Sequence, residues 1–164
     1  MMKTPASRLA FLLLILLHLT LGFSAIGGGL LLMLEPDGGL LHLQQGWLHG
    51  SVFPNFFLPG LMLTTVIGII PLRVAFGLNS GLKRCSPGYI NVYRSRHWAW
   101  TWSLYYGIIL CSWIAIQQLL TQYFILQPVI LLSGILIIVL TLTPSLMHRY
   151  HMNPREQLEA ETRE

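Results

Sequence analysis

Four long apolar runs, joined by short polar or basic connections, set the pattern of this chain. The stretch from Leu9 to Leu34 holds no Asp, Glu, Lys or Arg, and a spanning helix needs only ~20 such residues. Three further runs begin near Phe56, Trp98 and Phe124. The pattern predicts an all-α polytopic membrane protein with four transmembrane helices, over about 9–31, 56–78, 98–120 and 124–146. Residues 147–164 form a mixed-charge tail.

Breakers and small residues refine this outline. Ser24 with Gly28, and Ala25 with Gly29, are four apart and give the first helix small faces suited to close helix packing. Pro36, Asp37, Gly38 and Gly39 signal a turn. Leu40, Leu41, Leu43, Trp47 and Leu48 then recur at near-helical spacing, with His42, Gln45 and His49 opposite, which predicts a short interfacial helix in the first loop. Pro71 should kink the second helix. Trp98, Trp100 and Trp102 open the third as an aromatic belt.

Composition agrees. The chain is 54% hydrophobic and 10% charged, against about 25% charged in soluble domains. Its net charge of +4 does not imply nucleic acid, because the basic residues flank apolar runs instead of forming a patch. They also give orientation: placing the amino terminus, the 79–97 connection and the tail in the cytoplasm puts all ten Lys and Arg inside. The expected location is a bacterial inner membrane, with Glu35–Phe56 facing out. A basic start and apolar core also fit a secretory signal over residues 1–24, but the run is far longer than the ~7–15 residues of a signal core and lacks a clean cleavage site. Cys85 and Cys111 should lie at different depths, which argues against a disulfide.

Candidate chemistry falls in three places. His18 is the titratable group expected near mid-bilayer, where ionisable residues are functional candidates by default. Counting ~1.5 Å per residue puts Thr65 and Tyr106 at its depth. A neutral His18 bonded to one of them as interhelical glue is the plain reading; proton relay, ligand contact or haem ligation are the alternatives. Glu35, Asp37, His42 and His49 are candidates for an outer-loop site, although their spacing matches no metal motif and no metal is assigned. Arg73, Lys83, Arg84, Arg94, Arg96 and Arg149 are expected to touch lipid headgroups, with His97, His148 and His151 meeting Arg149 at the inner face.

The strings EPDGG at 35–39, SVFPNFFLPGLML at 51–63 and RHWAWTWSL at 96–104 resemble a group of small uncharacterised bacterial four-span integral membrane proteins. The resemblance covers roughly residues 7–146. Members typically show Asp-Pro-Ser-Gly where this chain has Glu35-Pro36-Asp37-Gly38, and Ser-Pro-Phe where it has Ser51-Val52-Phe53. The resemblance implies the four-span fold and carries no activity, substrate or cofactor. Nothing in the chain looks like a nucleophile with its base, a P-loop or a dinucleotide fingerprint. The expected function is that of a non-enzymatic, self-associating or complex-forming membrane component. The alternatives are a small transporter or channel using His18 and the Pro71-kinked helix, and a membrane enzyme or redox carrier with a site at the outer loop.

Overall fold

A computed structural model describes residues 5–48, 51–80, 92–93, 95–120 and 125–153. The chain is all-α, without β-strands among the described residues, in the order α1 (Pro5–Leu34), α2 (Phe57–Met62), a π-helical segment (Leu63–Ile69), α3 (Ile70–Ser80), α4 (Trp98–Leu120), α5 (Leu126–Thr141) and α6 (Pro144–Arg149). Three helical runs are long and apolar enough to cross a membrane: Pro5–Leu34, Phe57–Ser80 and Trp98–Leu119. They fit a membrane-embedded protein. Leu126–Thr141 is apolar but shorter.

The composition of α1 is apolar all round, so its inward face cannot be read from hydrophobicity. The structure shows it as one narrow seam: Ser7, Phe11, Leu14, His18, Gly22, Ala25, Gly29 and Leu32 are buried. Successive positions are three or four apart, close to the spacing of a coiled-coil seam. Against it the second run lies antiparallel, with Gly29 at Gly60 and Gly22 at Leu72 and Gly68.

The Gly29–Gly60 approach is reciprocal. A Cβ on Gly29 would lie 2.6 Å from the Gly60 carbonyl oxygen, and a Cβ on Gly60 would lie 2.8 Å from that of Gly29. Only residues without a Cβ let two backbones come this close, and dispersion between them then replaces the hydrophobic effect that lipid does not supply. Of the two small faces expected on α1, Ala25/Gly29 is the one used inside the chain. Ser24 is exposed, and a Cβ on Gly28 would touch only Leu63, at 3.7 Å.

α5 runs antiparallel along α4, with Gly134 against Cys111 and Gly107 at one level and Thr141 against Trp100 and Ser103 at another. Between α1, α3, α4 and α5 sits the core of Leu14, Val74, Tyr106, Leu110 and Ile137.

Each end is tied. At the loop end the expected interfacial helix is instead two 3-10 turns, Gly39–Leu41 and Gln45–Leu48. His42 breaks the register: it sits left-handed at φ 54°, after Gly38 at φ 88°. Leu32, Leu48 and Phe56 form a small apolar cluster under Leu41, Leu43 and Phe53, and the Phe56 amide donates to the Pro36 carbonyl at 2.8 Å. At the other end α6 folds back beneath α3 and α4. The His97 amide donates to the Tyr150 carbonyl (2.9 Å), the Met152 amide to that of Ser95 (3.0 Å), and the Tyr150 hydroxyl to the Leu78 carbonyl (2.7 Å).

Candidate functional site

His18 faces inward from the α1 seam and has no exposed surface. Its Nδ1 lies 2.8 Å from the Leu14 carbonyl oxygen. A carbonyl only accepts, so in the neutral ring Nδ1 carries the hydrogen and Nε2 keeps the lone pair. Nε2 is buried and has no hydrogen-bond partner among the described residues. The bond His18 makes is therefore within its own helix.

Of the two partners expected for His18, the structure brings up one. The Tyr106 ring packs on the imidazole with centroids 5.4 Å apart. Its hydroxyl, however, donates to the Ile67 carbonyl at 2.9 Å. In α-helical register the donor for that carbonyl would be the amide of residue 71, and Pro71 has none. Tyr106 thus supplies across the helix interface the hydrogen that the proline removes. Thr65 is not at the site. It is exposed, and its hydroxyl donates to the Leu61 carbonyl at 2.7 Å.

The π-helical segment accounts for the Thr65 miss. Wider turns rotate every residue between Leu63 and Ile69 away from the azimuth that α-helical counting gives. Thr64 turns inward instead, and its Oγ1 is buried against Gly29 without a hydrogen-bond partner among the described residues. Below the His18–Tyr106 pair lies a second polar contact, Ser103 Oγ with Thr141 Oγ1 at 2.8 Å, and the Trp100 indole donates to the Thr141 carbonyl at 2.8 Å. Sequence reasoning missed this layer. Its signal was the run of Thr101, Ser103 and Thr141 within otherwise apolar helices.

Of the candidates in the first loop, Glu35 and Asp37 serve the turn. The Glu35 carboxylate lies over Gly39, where a Cβ would be 2.8 Å from its Oε1, and the Gly39 amide donates to Asp37 Oδ1 at 3.3 Å. His42 is exposed. His49 lies outside the described residues. Among those residues no three His, Cys, Asp or Glu side chains gather as metal ligands.

The basic residues divide. Arg96, expected at headgroups, is half-buried and structural: its guanidinium donates to the Met147 carbonyl near the end of α6 and lies 5.5 Å from the Trp100 ring centroid. A helix C-terminus attracts such a cation. Arg73 is exposed on α3. Arg149 is exposed, with its guanidinium carbon 4.1 Å above the Phe11 ring and 5.6 Å from the Tyr150 ring. Burial pushes the Tyr150 hydroxyl up to about 12, with the charge and hydrogen bond of Arg149 opposing. His97 packs on Tyr150 at 6.0 Å, and Arg96 pairs with His151 in an antiparallel bridge, so the chain before α4 meets the chain after α6, while His148 is exposed. Lys83, Arg84 and Arg94 lie outside the described residues.

No protein-family model, curated protein or solved structure matches this chain.

Proposed function

We propose that this chain is a four-span protein of a bacterial inner membrane, akin to the small four-span group it resembles, and that it works as a non-enzymatic component that self-associates or joins a larger membrane complex. Both termini and the 79–97 connection lie on the cytoplasmic side in this reading, following the basic residues. α5 is the fourth span, supported by its antiparallel packing along α4, and the 3-10 turns of the first loop lie at the outer interface.

The observation that carries the function is a filled interior. Leu14, His18, Tyr106, Leu110, Ile114 and Ile137 are all without exposure, so a single copy keeps its usable surface on the outside of its helices. On α1 that outside includes Ser24 and Gly27, where an added Cβ would meet nothing within 4 Å. Particle mass in mild detergent tests the reading. Wild type should exceed one copy or carry a stoichiometric partner, and Gly27→Leu should reduce it without lowering thermal stability. A wild-type particle of one copy, free of co-purifying protein, overturns it.

The bare Nε2 of His18 favours a second reading, a transporter in which this nitrogen takes up a proton or a donor group during the cycle.

A further inference from the structure

Arg149 is fixed in an unusual way for an exposed cation. Its guanidinium carbon lies over two aromatic rings, 4.1 Å from the centroid of Phe11 on α1 and 5.6 Å from that of Tyr150 beyond α6. Tyr150 is itself anchored by the bond from its hydroxyl to Leu78. Stacking on a ring face holds the guanidinium while leaving N–H groups at its edge turned away from the ring. The side chain is therefore preorganised, and less rotamer freedom remains to be lost when an anion docks.

A second cation stands on the same stretch of α1. Arg8 is exposed and stands three residues before Phe11, a spacing that makes two residues neighbours on one helix face. Arg8 thus shares a face of α1 with the ring that seats Arg149. The acidic residues among those described are Glu35 and Asp37, both at the opposite, loop end of α1. Beside Arg8 the outer surface of α1 continues in exposed leucines, Leu9 and Leu12, at 58% and 62% exposure.

We infer that Arg149 and Arg8, set around Phe11, form a binding site for the phosphate of an anionic phospholipid, whose acyl chains lie along Leu9 and Leu12. The chemistry is that of a phosphate held by guanidinium forks. A lipid fits better than a free anion because Arg8 adjoins the exposed Leu9 and Leu12 at the end of an apolar helix. Arg73, exposed on α3 without an aromatic seat among the described residues, serves as the comparison cation.

The test uses the full chain in nanodiscs of mixed phosphatidylglycerol and phosphatidylcholine, with retained lipid counted by native mass spectrometry. Wild type should retain phosphatidylglycerol preferentially. Arg149→Gln should reduce that preference about fivefold, the effect of one basic residue near a surface, and Arg73→Gln should change it little. Phe11→Leu keeps an apolar side chain but removes the ring, and should weaken the preference while Arg149 remains. Equal losses in Arg149→Gln and Arg73→Gln would mean diffuse charge attraction and overturn the site. Excess inorganic phosphate should leave the preference intact; abolition by inorganic phosphate would assign the pocket to a soluble anion and overturn the lipid. Truncation after Asn153 should leave the preference in place or raise it, since it removes tail carboxylates, and a loss on truncation would overturn the assignment to Arg149 and Arg8.

Discussion

Tyr106 completes the helix that Pro71 interrupts: its hydroxyl donates at 2.9 Å to the Ile67 carbonyl, four residues before the proline. Replacing a backbone donor with a side chain from another helix joins α4 to the second run at a fixed depth. It also makes the second run depend on α4, since without that hydroxyl a buried carbonyl loses its interhelical donor.

The two residues should therefore be energetically coupled. Tyr106→Phe should cost about 1 kcal/mol, the usual net value of such a bond. Pro71→Ala returns an amide to residue 71 and should make the tyrosine hydroxyl dispensable. A double-mutant cycle on thermal or denaturant stability measures the coupling. Additive effects would show that Tyr106 and Pro71 act independently.

The glycines of α1 should separate sharply by face. Gly29→Ala places a methyl against the Gly60 carbonyl oxygen and the Thr64 amide, both backbone groups that cannot swing aside, and should cost about 1–3 kcal/mol. Gly27→Ala meets nothing within the chain and should leave stability equal or raise it by up to ~1 kcal/mol through helix propensity. Thermal melting of the two purified variants in the same detergent compares them directly. Similar losses in both would mean that the Gly29–Gly60 approach does not hold α1 to its neighbour.

Depth was legible in the sequence, and azimuth was not. Counting residues from the helix ends placed Tyr106 level with His18, and its ring packs on the imidazole, centroids 5.4 Å apart. The same count chose Thr65, which faces out, because seven π-helical residues turn that stretch by less per residue than an α-helix would. Pro71 signalled a disturbance there but not its kind. Arg96 carried the same charge signal as Arg149, yet one caps α6 and the other remains exposed. What separates them is the fold-back of residues 144–153, and that depends on long-range contacts such as Tyr150 with Leu78, 72 residues apart. The first-loop leucines had helical spacing, but Gly38 and His42 adopt left-handed backbone that no continuous helix admits.

Tyr150 should make the α6 end sensitive to alkali. Burial raises its hydroxyl to about 12 from the ordinary 10, so the folded chain keeps a proton that the unfolded chain has released between those values. Its contribution is complete below pH 10 and declines as pH rises toward 12. Tyr150→Phe cannot ionise and should lack this component of the decline, while melting lower than wild type at neutral pH by about 1 kcal/mol for the lost bond to Leu78. Melting curves across that range check both. Parallel alkaline declines in the two proteins would remove Tyr150 as the cause.

His18 decides between the two functional readings. Its bond to Leu14 lies within α1, so it is not the glue between helices that its depth suggested, and its Nε2 is buried without a partner among the described residues. A buried acceptor left bare costs about 1–3 kcal/mol. His18→Leu removes that acceptor and keeps an apolar side chain on the Tyr106 ring, so it should fold with stability equal to or above wild type. His18→Gln keeps a polar group that cannot titrate. For a non-transporting component, both variants should match wild type in proton flux across liposomes at every pH. A well-folded His18→Gln protein that has lost a pH-dependent flux present in wild type would instead make Nε2 the working atom. A His18→Leu protein that fails to fold would show that the nitrogen has a structural partner after all.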